Sequence, residues 1–379
     1  MDQASFPTSA YCSSIARFLR AIEYHDTNWN REDRVKALHS VHVGMVAYFA
    51  SPLPQRALEG VDPKKILALT HFVPQMTVSC WSRVSADVLV DIGIFLAIMT
   101  ILDDHPISHD SEVLSAFWTD LLQGKEQKHP LWMLINDHLP KVLRHYGSFC
   151  AWNIMRGTFD FFQGCWMEQS SFQGYPGADC FPEFVRRLNG LGSVVAGTLF
   201  PSTDFDQKAL FQELSCVMAH MDGVVTSIND LLSYHKEFDL DEANLVSNWC
   251  VTDGIDKLQA LQRLTDRTIH ACKQILDIFA ERDASVRDTI RCFIHGFITS
   301  HICSKRYRLS ELYETATGPD AEAFRAYYEQ SINAAMVEQA EWTLSASRAQ
   351  PESDSKVGAG RWRDSVVKVV VTGPLKEAY

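Results

Sequence analysis

The stretch NREDRVKALHSVHVGMVAYFASPLP, residues 30–54, decides the fold class. Asn30 is a residue that caps helix N-termini, and Asp33 falls in the first turn behind it. Val35, Leu38, Val41, Met45 and Tyr48 recur at steps of three and four, which places them on one helical face. Pro52 and Pro54 cannot continue a helix and are expected to stop it. The same periodicity runs outward in both directions. Ile15, Phe18, Leu19 and Ile22 mark an earlier helix, ended by the segment His25–Asn30. Downstream, helical stretches are expected near Ser85–Asp103, Glu112–Leu122, Leu131–His145, Ser148–Gln169, Pro182–Leu199, Gln207–Glu237, Ile255–Ala280, Val286–Leu312 and Asp320–Ser345.

Strand signals are weak. Val366–Val371 is the one β-branched run, and the Asn189–Gly190 turn pair has no alternating strands beside it. Long helices joined by short polar loops predict an all-α protein, one large helical bundle. The chain has 379 residues, and no break in composition divides it. Residues 349–360 are polar and rich in Ser, Gly and Pro, so a single domain over residues 1–348 and a linker-plus-tail over 349–379 are expected. Ile92–Leu102 is too short for a membrane span and reads as a buried core helix. The start, Met1-Asp2-Gln3, lacks the basic and apolar regions of a signal peptide, so a cytoplasmic protein without a membrane span is expected.

The formal charge is −12. That argues against nucleic acid as a partner, since phosphate backbones require a basic stripe. It allows a small phosphorylated substrate, provided that carboxylates hold cations between protein and phosphate. The ten cysteines are scattered without a CxxC pair. They read as reduced thiols, not as a zinc or disulfide framework.

Three groups carry chemistry. In NDLLSYHKE, residues 229–237, Asn229, Ser233 and Glu237 are four apart. Each such step rotates by only ~40° on a helix, so the three share a narrow face. An amide oxygen, a hydroxyl and a carboxylate are hard ligands suited to magnesium and not to zinc. Lys236 stands beside Glu237, where it could reach an anion. An amphipathic helix with exposed polar residues would produce the same spacing. The second group is Asp103-Asp104, two carboxylates at the end of the most apolar helix, against the unfavourable end of its dipole. A cation would offset that cost; simple solubilisation of a helix end is the plainer account. The third is basic: Lys305-Arg306-Tyr307-Arg308 and Arg186-Arg187 can fork onto phosphate oxygens, or can lie as solvated surface clusters.

Taken together these residues resemble the fungal class I terpene cyclases of the trichodiene synthase family. The resemblance spans roughly residues 6 to 345. It includes HDTNWNREDR (25–34), VLRHYGSFC (142–150), DFFQGCWMEQ (160–169), FVRRLNGLG (184–192), NDLLSYHKEFD (229–239) and RYRLSELYE (306–314). It implies an α-helical barrel with an apolar pocket, a homodimer, farnesyl diphosphate as substrate and three Mg2+ ions. It also implies roles. Asp103 is the leading metal-binding aspartate with Asp104 as its supporting neighbour, and Asn229, Ser233 and Glu237 form the second metal motif. Arg186, Lys236, Arg306 and Tyr307 bind diphosphate, with Asp103, Arg306 and Tyr307 as the catalytic set.

The chain also departs from trichodiene synthase. That enzyme has a second aspartate pair just after the first, where this chain has Ile107 and Ser108, with Asp110 set later. The stretches Phe95–Met99 and Gly223–Ser227 are less bulky, and Ser300 replaces a tryptophan. Aromatic faces stabilise cations, so a product other than trichodiene is expected, with longiborneol as the specific expectation. Trichodiene itself remains the nearest alternative. A class II cyclase would need an acid cluster, and Asp239-Leu240-Asp241-Glu242 lacks the expected pattern. Two readings from other classes are a His-Asp metal phosphohydrolase, prompted by His25-Asp26 and His109-Asp110, and a helical scaffold without catalysis.

Overall fold

A computed structural model describes residues 6–103, 111–238 and 244–343, apart from the side chains of Ser111 and Gln169. Asp104, Asp110, the 239–242 acidic run and the tail at 349–379 with Val366–Val371 lie outside the described residues. Every regular element among those described is helical.

Helix α1 spans Thr8–Ala21, and α2 spans Arg31–Phe49. The Asn30 side chain accepts from the Asp33 amide at 2.9 Å, so the cap is formed as expected. Leu38, Val41 and Met45 are buried, while Val35 and Tyr48 are half-buried against the core. The expected stop before the prolines is present, and Pro52 does more than end a helix. Helix α2 ends at Phe49, and Pro52 opens a further short helix, α3 (Pro52–Ala57), where a missing N–H costs nothing. Then come α4 (Pro63–Cys80), α5 (Ala86–Asp103), α6 (Ser111–Leu122), α7 (Pro130–Leu143) and α8 (Ser148–Gln169). Next are α9 (Phe181–Asn189), α10 (Gly192–Thr198), α11 (Phe211–Glu237), α12 (Leu245–Thr252), α13 (Lys257–Ile278) and α14 (Ala284–Cys303). A 3-10 turn at Lys305–Tyr307 leads to α15 (Leu309–Thr315), α16 (Pro319–Ala335) and α17 (Gln339–Trp342).

Three expected helices are divided, the run 320–345 parting into α16 and α17 after the extended Met336. The run 182–199 breaks at Leu191, which has φ of 54°, so Asn189–Gly190 ends a helix and makes no hairpin. The run 286–312 breaks at the 3-10 turn, where Arg308 has φ of 59°. Helices α4 and α12 were not expected from the sequence. Pro74 sits inside α4, buried, and weakens its sequence signal. Helix α12 is short and depends on a capping box between Asn244 and Ser247.

Helix α5 is apolar on all sides and buried on all sides, as Ile92–Leu102 led us to expect. Its carboxylate Asp91 is buried but bound by His145 at 2.8 Å and Arg144 at 3.1 Å. From α5 a circuit of neighbours closes: α5 packs on α4, α4 on α14, α14 on α11, α11 on α10, α10 on α8, α8 on α7 and α7 on α5. This ring is the barrel, with α1, α13 and α16 packed outside it. None of the described helices is long and apolar enough to cross a membrane. The ten cysteine thiols are free; Cys12, Cys80, Cys150, Cys165 and Cys272 are buried.

The join of α14 to α4 depends on one glycine. A Cβ at Gly296 would lie 1.8 Å from the carbonyl oxygen of Ser79. Because that neighbour is backbone, Gly296→Ala must push the two helices apart. We expect a loss of about 1–3 kcal/mol, the usual range for overpacking, read from denaturant unfolding. An unchanged midpoint would show that α14 does not approach α4 this closely.

Candidate active site

Asn229, Ser233 and Glu237 lie on successive turns of α11. Asn229 is half-buried, while Ser233 and Glu237 are buried. Hydroxyls elsewhere in this helix bond back to the preceding turn, as Thr226 does to the Asp222 carbonyl at 2.7 Å. Ser233 does not: its Oγ is buried and has no hydrogen-bond partner among the described residues. A buried hydroxyl left so costs about 1–3 kcal/mol. One turn on either side stand an amide oxygen and a carboxylate. The Glu237 carboxylate accepts from Asn244 Nδ2 at 3.0 Å and Lys236 Nζ at 3.5 Å. The three oxygens therefore fit a hard cation, and the orphaned hydroxyl is the observation that tests the fit.

Arg186 reaches this face from α9. Its Nη2 lies 2.6 Å from Asp230 Oδ1 and 3.3 Å from Asn229 Oδ1, and its Nη1 donates to Asn189 Oδ1 at 2.7 Å. Glu168 of α8 lies 3.7 Å away and also accepts from Asn189. Arg186 Nε is buried without a partner among the described residues, a second donor left over. Burial lowers the guanidinium pKa, but Asp230, Glu168 and Glu237 outweigh it and hold the group above its usual value. Burial raises the Asp230 carboxyl, and Arg186 opposes that rise without cancelling it. The other oxygen of Asp230 accepts from the Leu245 amide at 2.9 Å, which fixes the start of α12. Glycine makes the approach of α9 possible, since a Cβ at Gly164 would lie 2.7 Å from the Asn189 backbone nitrogen.

Asp103 is the last residue of α5 and is exposed. The thiol of Cys165 donates to its Oδ1 at 3.5 Å, and burial pushes that thiol's pKa well up. Cys165 and Glu168 are one turn apart on α8, so the end of α8 links Asp103 to the Arg186 cluster. On the other side the 3-10 turn, capped by Ser304 Oγ accepting from the Arg306 amide at 3.2 Å, packs on α11. Tyr307 is buried and stacks on His301 at 4.2 Å between ring centroids. Arg306 is exposed, its guanidinium 6.0 Å from the centre of the Phe72 ring. Burial lowers the His301 imidazole to about 4.

Contacts thus join Asn229 to Arg186 and, two turns further along α11, Glu237 to Lys236; they bring in Tyr307 through His301, which meets Asn229, and Asp103 through Cys165. Asp104 lies outside the described residues. Lys305 and Arg187 are exposed, and Arg308 turns away to pair with Glu311 at 2.7 and 2.9 Å. The His25-Asp26 pair is engaged in structural bonds: Asp26 accepts from Thr299 and from the Asn28 amide, and the His25 carbonyl is bound by His295. No group of three or more His, Cys, Asp or Glu side chains among the described residues is arranged to hold a metal. Asp230, Glu168, Asn189 and His301 are site residues that sequence reasoning missed. Asp230, Glu168 and Asn189 stand inside the quoted segments, but nothing in their spacing marks them. A groove of about 650 Å³ between α6 and α8 is separate, lined by Trp118, Trp152, Phe159 and Trp166 on the side of α8 roughly opposite Cys165 and Glu168.

The family profile described as trichodiene synthase (TRI5) matches residues 5–364. This chain belongs to the trichodiene synthase family. It is a terpene cyclase, a lyase of the sesquiterpene type. Terpene cyclase pbrA of Penicillium brasilianum is 54% identical over 344 residues, covering 90% of this chain and 85% of that protein. Trichodiene synthase of Gibberella pulicaris is 42% identical over 343 residues, covering 89% of each. Among solved structures, linalool/nerolidol synthase from Streptomyces clavuligerus superposes with a TM-score of 0.54 at 13% identity, over 69% of this chain and 94% of that one. That likeness is one of fold, and it places the helical ring in the class I terpenoid fold. The expected family, fold class and enzyme type therefore hold.

Proposed function

We propose that this cyclase acts on farnesyl diphosphate, ionising it with magnesium and closing the freed chain into rings. The observation that carries the reading is the buried Ser233 hydroxyl without a partner among the described residues, set on α11 between Glu237 and Asn229, the latter in contact with Arg186. Asp103, Asn229, Ser233 and Glu237 would hold the ions, three by family expectation, with Asp104 in support. Bound there, magnesium supplies the positive charge that stabilises the departing diphosphate. Arg186, Lys236, Arg306 and Tyr307 donate to the diphosphate oxygens and fix the leaving group. The apolar flank of α5 at Phe95–Met99 and the α11 stretch at Val224–Ile228 take the hydrocarbon chain and exclude water, which would quench the cation. No protein nucleophile is needed.

The product assigned is longiborneol and not trichodiene. Support comes from Ser300, where trichodiene synthase has tryptophan: its small hydroxyl, which donates to the Phe297 carbonyl at 2.8 Å, offers no aromatic face to a cation. Gas chromatography with mass spectrometry of farnesyl diphosphate incubations tests this. Trichodiene as main product would overturn the product assignment, and no terpene at all would overturn the function.

The catalytic unit is taken as residues 1–348, working as a cytoplasmic homodimer. A chain ending at residue 348 is expected to keep turnover within about twofold, because the site residues all precede the cut. Loss of most activity with an unchanged melting curve would assign the tail a catalytic part.

A further inference from the structure

His301 is used by none of the steps above, yet it touches both halves of the site. It lies on α14 and is 1% exposed. Its Nδ1 is 2.7 Å from the Phe297 carbonyl oxygen, and its Nε2 is 3.3 Å from Asn229 Nδ2. A carbonyl only accepts, so Nδ1 carries the ring proton and Nε2 presents its lone pair. The Asn229 amide must then turn its NH2 toward His301. Arg186 gives the same answer independently: a guanidinium only donates, so the amide atom 3.3 Å from its Nη2 must be the oxygen. Two partners on opposite sides therefore select one of the two amide orientations. The imidazole also stacks on Tyr307 at 4.2 Å and meets the edge of Phe297 at 4.4 Å. Its plane is thereby held.

We propose that His301 is a positioning residue: it fixes the Asn229 amide with its oxygen on the metal-binding face and seats Tyr307 against the same site. The inference rests on the reading of Asn229 as a magnesium ligand. Without His301 the amide can rotate, and its NH2 cannot ligate a cation. Outer partners that orient a ligand commonly set metal affinity as strongly as this role requires.

The test compares His301→Phe, which keeps the stacked ring but deletes both nitrogens, with His301→Gln, whose side-chain oxygen can accept from Asn229. Isothermal titration calorimetry of Mg2+ into protein with inorganic pyrophosphate gives affinity apart from turnover. Thermal melting checks the fold. We expect His301→Phe to weaken Mg2+ binding about tenfold or more, and His301→Gln to recover most of it. Retention of wild-type affinity by His301→Phe, or equal weakness in the glutamine variant, would overturn the role. Should the phenylalanine variant not fold, His301→Asn, too short to reach Asn229, takes its place with the same two outcomes. If the wild-type protein itself binds no Mg2+ with pyrophosphate, the reading of the site fails and this inference with it. Wild-type binding with unaltered variants overturns this inference alone.

Discussion

Glu237→Gln is expected to lower magnesium-dependent turnover of farnesyl diphosphate by about a hundredfold or more, with the fold intact. Glutamine preserves the shape and keeps one oxygen to accept from Asn244, which lies 3.0 Å away and caps α12. What disappears is a negative charge at the end of the Asn229–Ser233–Glu237 face, in a position 8% exposed where solvent screens little. Asn229 and Ser233 are neutral and cannot replace it. The loss should therefore appear as a higher magnesium requirement together with a lower limiting rate. Pyrophosphate release across a magnesium titration, with a melting curve as control, measures it. Turnover within twofold of wild type at low magnesium would remove Glu237 from the metal site.

Arg186→Met has two expected effects that can be separated. The first is loss of a diphosphate donor. The second is structural: Asp230, with its side chain 1% exposed, loses a guanidinium 2.6 Å away. Leaving one member of a buried ion pair alone costs about 3–5 kcal/mol, so the variant should be markedly less stable as well as inactive. Adding Asp230→Asn removes the stranded charge yet keeps an oxygen for the Leu245 amide. The double variant should regain much of the stability and none of the turnover. Recovery of both would mean that Arg186 acts only as a counter-ion to Asp230. Recovery of neither would mean that the α9–α11 contact needs the guanidinium for packing.

The parts of the fold legible in the sequence were those set by local rules. Asn30 capped its helix, α5 was apolar on every side because it is buried on every side, and the four-residue spacing at 229–237 placed three oxygens on one face. Where local rules conflict with packing, the sequence misled. Pro52 follows the end of α2 as expected but also opens α3, which its ring does not announce, while Pro74 sits buried within α4. Leu191 and Arg308 adopt left-handed backbone that no glycine announces, and so divided two expected helices. The site was legible in the same measure. The NDLLSYHKE motif shows itself along one helix, whereas Asp230 gains meaning only when Arg186 arrives from α9. Glu168 and His301 likewise come from α8 and α14, and their importance lies in contacts across the barrel that sequence spacing does not encode.

Metal-assisted breaking of the carbon–oxygen bond of farnesyl diphosphate, with capture of the hydrocarbon as rings, is the activity we propose for this chain. It is tested most directly by counting both products from one incubation, with magnesium and again after chelation. One pyrophosphate should be released for each cyclic fifteen-carbon terpene formed, and neither product should appear when the metal is removed. Release that continues undiminished without metal, or that yields orthophosphate and no terpene, would contradict it.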